Sequence, residues 1–221
     1  MNWLIEIFFL LLIIAIAYAM LFCYEKNVEL NSLKINDLLN GSKDYRLFLA
    51  CELLAGFIVV VFMNYHSYTL FSALNVISFT ALLLPVAYVD FKKKLIPNKM
   101  LVCMAVVRLL LLFGELFFQE TELMNYLISS ALSIVLFCGI FFLISVVFKN
   151  SIGMGDVKLF GVLSIYFGMY GTLHILMYAM IVTFFYACYL LATKKKEKKD
   201  EISFAPMVLF GTLITLIAGA L

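Results

Sequence analysis

Ser151-Ile152-Gly153-Met154-Gly155-Asp156-Val157-Lys158 sets an acidic residue after two spaced glycines, between two long apolar runs. A carboxylate close to hydrocarbon is costly and marks a functional site by default, with a partner to be sought. The partner on offer is Asp90, 66 residues earlier, which ends another apolar run and is followed by Phe91-Lys92-Lys93-Lys94-Leu95-Ile96-Pro97-Asn98. Two aspartates held close cannot both ionise cheaply, so such a pair shares one proton. The ionised member can draw a proton from water while the protonated one donates to a carbonyl oxygen, which is aspartic-protease chemistry and needs no cofactor. Asp90 and Asp156 are therefore the expected catalytic pair.

The flanking residues fit that reading. Gly153 and Gly155 would let the backbone turn sharply and let a neighbouring helix or an extended substrate strand come close to Asp156. Ile96-Pro97 ends or restarts a helix after Asp90, because the residue before proline disfavours the helical region. Pro85 is placed to kink the run that leads to Asp90. Taken singly, each aspartate also reads as a solvated cap beside lysines, or, for Asp156 and Lys158, as an interfacial pair. Together on one face, with the glycine pair, they read as chemistry.

At 65% hydrophobic and 14% charged residues, the chain carries more apolar surface than a water-soluble domain of this length can bury. An all-α polytopic membrane protein is expected. Nucleic-acid binding is a poor fit, because no basic face is interleaved with exposed aromatics. Cys23, Cys51, Cys103, Cys138 and Cys188 are scattered with no C-x-x-C pair, so neither a metal nor a disulfide framework is expected. They read as small buried hydrophobes. His66 and His174 are isolated near expected helix ends and are assigned no chemistry.

A helix crosses the hydrocarbon with about 20 apolar residues, and eight runs approach that length: 4–23, 47–63, 68–89, 100–118, 126–148, 159–171, 172–192 and 202–221. The boundary between the sixth and seventh rests on Gly168 and Gly171. No lysine or arginine precedes the first run, whereas Lys26, Lys34, Lys43 and Arg46 follow it, so its N-terminus is expected outside and the run is expected to stay as an anchor. The cytoplasmic loops would then be 24–46, 90–99, 149–158 and 193–201. They hold 15 of the 16 basic residues, Arg108 being the exception, and that asymmetry supports the topology. It also puts Asp90 and Asp156 on the same, cytoplasmic, side. Loop 24–46 is too short for its own core, so residues 1–221 are expected as a single domain. The run Lys194-Lys195-Lys196-Glu197-Lys198-Lys199 reads as a stop-transfer and headgroup anchor.

Four more ionisable residues lie within the runs. Arg108 and Glu115, seven apart, share a helix face and could be bridged through a partner from another helix. Glu6 reads as polar glue between helices, and Glu52 reads equally as glue or as a functional group.

Gly153-Met154-Gly155-Asp156-Val157-Lys158-Leu159 resembles the G-x-G-D-x-K-L signature of the type IV prepilin peptidases, which are membrane-embedded aspartic peptidases. The Asp90 segment, with Ile96-Pro97-Asn98, is similar to that family's first catalytic segment. Weaker matches are Glu52-Leu53-Leu54-Ala55-Gly56, similar to E-L-x-x-G, and Ser203-Phe204-Ala205-Pro206, close to an F-G-P turn before the last helix. The resemblance implies eight helices and Asp90 and Asp156 as the catalytic pair. Gly153, Gly155, Lys158, Pro97, Asn98 and Glu52 would be supporting motif residues. The implied reaction is removal of a short basic leader from prepilins or pilin-like proteins of secretion and competence systems, at the cytoplasmic boundary of the cell membrane. Many members have a longer first cytoplasmic loop with two C-x-x-C pairs and also methylate the new N-terminus. Loop 24–46 has neither the length nor the cysteines, so zinc is not expected, and methyl transfer lacks its usual accompaniment.

Two other readings use the same residues. A presenilin-like or signal-peptide-peptidase-like protease shares the G-x-G-D logic but pairs it with a Tyr-Asp motif deep in a helix, whereas Tyr88 is separated from Asp90 by Val89. A transporter or channel subunit would line a polar path with Arg108, Glu115 and the aspartates, yet the acids cluster at one face and no inverted repeat is visible.

Overall fold

The computed structural model describes residues 3–26, 43–118, 123–147, 153–193 and 202–221. The chain divides into two compact units, Met1–Pro85 and Val86–Leu221. Every regular element among the described residues is helical, and six helices are long and apolar enough to cross a membrane. This is a multi-pass membrane protein. Residues 27–42 of the expected first loop, Lys149 to Ile152, and the lysine run at 194–199 lie outside the described residues.

In the first unit, α1 (Trp3–Lys26) and α2 (Lys43–Tyr65) are followed by α3 (Leu70–Lys93), which belongs to this unit as far as Pro85. Asn64 Nδ2 donates to Glu6 Oε2 at 2.5 Å, and a Cβ on Gly56 would meet the Leu10 side chain. Residue 6 thus faces 64 and residue 10 faces 56, an antiparallel register. Leu10 packs into the space over Gly56, and buried Glu6 acts as the polar glue its position suggests. Pro85 does not end α3, which continues as helix through it to Lys93.

The second unit contains the rest of α3, then α4 (Asn98–Phe117), α5 (Leu123–Ser133), a π-helical turn (Ile134–Cys138), α6 (Gly139–Val147), α7 (Met154–Ala192) and α8 (Ala205–Ile217). Helix α4 is inverted relative to a helix in water. Arg108 and Glu115 are buried, while Leu109, Leu110, Phe113 and Phe117 are exposed. That is the distribution hydrocarbon solvent imposes, because charges must face protein and apolar groups lose nothing by facing lipid. Arg108 and Glu115 need no bridging residue. The guanidinium bonds the carboxylate directly through both nitrogens, at 2.8 and 3.2 Å. The cysteines also depart from expectation: none is buried, and Cys51 and Cys188 are exposed on apolar helices. A small apolar side chain is as comfortable facing lipid as facing protein.

Helix α7 is 39 residues long but is not one rod, because Gly168 has φ 62 and ψ −161. In a continuous helix the residues Leu163 and Thr172 would be about 13.5 Å apart along the axis, yet Thr172 Oγ1 lies 3.5 Å from the Leu163 carbonyl. The chain therefore doubles back at Gly168, within the region where the 159–171 and 172–192 runs were expected to part. Backbone groups released by the break find side-chain partners on other helices. Met169 N–H donates to Ser129 Oγ at 2.8 Å, and the freed Ile165 carbonyl accepts from Arg108 Nε at 3.2 Å and from the Tyr126 hydroxyl. The second arm then runs antiparallel to α8, since His174 Nδ1 lies 2.8 Å from the Ala220 carbonyl and a Cβ on Gly211 would sit 2.7 Å from the Ile175 carbonyl.

The Gly168 conformation is open essentially to glycine alone, and a Cβ there would lie 2.9 Å from Ser129 Oγ. Gly168→Ala is expected to cost about 1–3 kcal/mol in backbone strain. It should also displace the hydroxyl that caps Met169. Thermal unfolding of the purified variant in detergent, compared with Gly139→Ala, where a Cβ meets nothing within 4 Å, measures the loss.

The π-helical turn orients the helix that packs on the first arm of α7. Ser133 Oγ donates to Ser164 Oγ at 2.8 Å, and Cys138 Sγ lies 3.5 Å from the Val157 carbonyl. Five residues of ordinary helix would leave two side chains about 140° apart. The wider π turn reduces that angle, so both residues meet the same arm.

Candidate active site

Asp90 lies in the last turn of α3, buried to 5% exposure. Its Oδ2 accepts the backbone N–H of Ala205 at 3.0 Å, and the Phe204 N–H is directed at the same carboxylate. The helix closes just beyond it: Lys94 N–H donates to the Asp90 carbonyl at 2.8 Å with Lys94 at φ 55. A left-handed residue is the usual way to end a helix, and glycine is the usual choice. Leu95 to Pro97 then lead into α4, with Pro97 extended at φ −72 and ψ 123 as its N-cap. Proline at this position accounts for the restart read from Ile96-Pro97.

Asp156 is the third residue of α7 and is half-buried. Its Oδ2 folds back to within 3.2 Å of where a Cβ on Gly153 would be. Gly153 is the N-cap, and its carbonyl accepts from Asp156 N at 3.0 Å and from Val157 N at 3.4 Å. Of the two roles expected of the glycine pair, the sharp turn is not made, whereas close approach of a neighbouring segment is. Neither Gly153 nor Gly155 has a positive φ, so no special turn is made. What both supply is room, Gly153 for the Asp156 carboxylate and Gly155 for Ile96, whose Cβ would lie 3.0 Å from a Cβ on Gly155.

The segment after Asp90 and the start of α7 are therefore in contact. A second tie joins them, because Lys158 Nζ donates to Asn98 Oδ1 at 3.0 Å across 60 residues. A third passes through α8: the Phe204 ring packs edge-on against Phe160 at 5.5 Å between centroids. Among the motif residues, the second unit thus gathers Asp90, Pro97, Asn98, Gly153, Gly155, Asp156 and Lys158 around one cluster of helix ends. Glu52 belongs to the first unit, in α2. It is 1% exposed, and neither carboxylate oxygen has a hydrogen-bond partner among the described residues. Among the described residues no group of three His, Cys, Asp or Glu is arranged to hold a metal ion.

Sequence reasoning missed the part played by the start of α8. Ser203 looks like a conventional N-cap, but the N-cap position is Phe204, with no capping side-chain bond of its own.

Six helices long and apolar enough to cross a membrane define the class, a multi-pass membrane protein, in which the helix ends bearing Asp90 and Asp156 are tied together by the contacts above. The family model described as the type IV leader peptidase family matches residues 77–188, half of the chain, including both aspartates and the Gly153–Lys158 motif. The chain belongs to the type IV leader peptidase family and is a peptidase. No curated protein and no solved structure matches it.

Gly155→Val is expected to push Ile96, and with it the link to α3, away from α7. A displacement near 1 Å at reacting groups costs about 10²-fold in rate. Cleavage kinetics of Gly155→Val with and without Ile96→Ala check this, since the smaller residue at 96 should restore part of the loss.

Proposed function

We propose that this protein is an aspartic endopeptidase that removes the short basic leader from prepilins or pilin-like precursors of secretion and competence systems. Asp90 and Asp156 are the catalytic pair, sharing one proton, with one activating water and the other donating to the scissile carbonyl. The 221 residues act as one peptidase domain in the cell membrane. Counting both arms of α7 and the short α8 gives eight crossings, with the N-terminus outside and the aspartates at the cytoplasmic face. The observation that carries the reading is the convergence of the α3 end, the 94–97 link and the first turn of α7, two stretches of chain that each bear one aspartate. The charge pattern agrees with it. A leader rich in lysine and arginine stays in the cytoplasm while the apolar helix behind it enters the bilayer, so the bond to be cut lies at that boundary.

The test is to mix purified protein with a leader-bearing precursor in detergent and read the new N-terminus by mass spectrometry. A single cut where the basic leader meets the apolar helix is expected, and the added mass of a methyl group reports methyl transfer in the same spectrum. A cut deep within the apolar helix would point instead to a presenilin-like protease. No cut by folded protein would remove the reading altogether.

A further inference from the structure

The start of α8 lies beyond the matched residues, yet it touches the surroundings of both aspartates. A helix N-terminus has four backbone positions whose N–H groups lack partners one turn back. Here they are Phe204, Ala205, Pro206 and Met207: Pro206 has no N–H, and Met207 donates to the Phe204 carbonyl at 2.9 Å. Ala205 and Phe204 are left, and both N–H groups face the Asp90 carboxylate, with Ala205 donating to Oδ2 at 3.0 Å. Asp90 is thus the cap that Phe204 cannot be, supplied from 115 residues away. The Phe204 ring meanwhile packs on Phe160, which is itself stacked on Phe141 at 4.2 Å with the planes 16° apart. Phe160 follows Asp156 by four residues, so the two share a helix face.

We infer that the Ser203-Phe204-Ala205-Pro206 turn is a positioning element that sets the separation and orientation of the Asp90 and Asp156 carboxyl groups, an inference that rests on the aspartic chemistry proposed above. One side of the turn holds a carboxylate by a backbone amide. The other side holds, through an aromatic contact, the helix face on which the second aspartate stands. Neither Phe204 nor Ala205 takes part in bond making. Their effect passes entirely through the geometry of the pair, where small displacements are expensive.

The experiment measures cleavage kinetics for Phe204→Ala, Phe160→Ala and the double variant. It adds a chain in which the amide at Ala205 is replaced by an ester, which removes the N–H and weakens the Phe204 carbonyl. An ester at Met207, which loses a donor to that same carbonyl but keeps the Ala205 N–H, is the control expected to hold wild-type kcat. Each alanine change and the Ala205 ester is expected to lower kcat by about 10–100-fold with KM within about twofold. The double variant should be no worse than about the poorer single, because both break the same link, and Phe204→Tyr should restore most of kcat. Unfolding in detergent is followed for every variant. The Ala205 ester chain keeps every side chain and so remains decisive where an alanine variant fails to fold. Wild-type kcat in the Ala205 ester chain, a change confined to KM, or additive losses at Phe160 and Phe204 would overturn the inference while the dyad stands. Cleavage retained by Asp90→Asn would overturn both together.

Discussion

Asp90→Asn and Asp156→Asn are each expected to lower cleavage of a leader-bearing precursor by about 10²–10⁴-fold, the range that a positioned acid or base supplies. The fold should survive both changes. An asparagine at position 90 keeps a side-chain oxygen for the Ala205 N–H now bound at 3.0 Å, so α8 retains its cap. The amide introduced by Asp156→Asn can still fold back over Gly153 as the present carboxylate does. Activity should therefore fall with little change in unfolding temperature, and the two measurements made on the same samples separate chemistry from stability. Either asparagine variant cleaving at the wild-type rate would mean that the pair does not act as a unit.

The largest effect on stability is expected at Arg108. Its side chain is fully buried, bonded twice to Glu115, once to the Ile165 carbonyl, and seated 4.8 Å from the centre of the Tyr126 ring. Arg108→Met strips the Glu115 carboxylate of its cation in a buried position, a change that costs about 3–5 kcal/mol. It also withdraws one of the two donors that hold the broken end of the first α7 arm. Replacing both members of the pair, as Arg108→Met with Glu115→Leu, removes the stranded charge and should recover most of that loss. Unfolding of the two variants side by side in detergent decides the matter. A double variant as unstable as the single one would show that the ion pair matters less than the bond to Ile165.

What could be read from the sequence was local. Apolar length and the placement of lysines are properties of consecutive residues, and the helices that bear Asp90 and Asp156 follow from them. Gly168 was legible as a break because glycine punctuates a run that is too long for one crossing. The cooperation between distant helices was not legible. Asp90 caps α8 and Ser129 caps the second arm of α7, and neither pairing leaves any periodicity in the chain. Even the short-range pair was misjudged: Arg108 and Glu115 were placed on one face, but whether two long side chains meet directly depends on rotamers that helical spacing does not specify. Glu52 shows the reverse case. Its position in a motif was visible, whereas its burial, without a hydrogen-bond partner among the described residues, emerges only from packing.

The doubling back at Gly168 leaves the first arm of α7, Met154 to Phe167, with only fourteen residues. That is about 21 Å of helix against a hydrocarbon thickness of about 30 Å. Of its residues only Met154 and Lys158 are exposed, so neighbouring helices and not lipid meet the shortfall along its length. A half-length crossing of this kind is held in place by its protein neighbours, so its seat depends on the packing of those partners and not on the thickness of the bilayer.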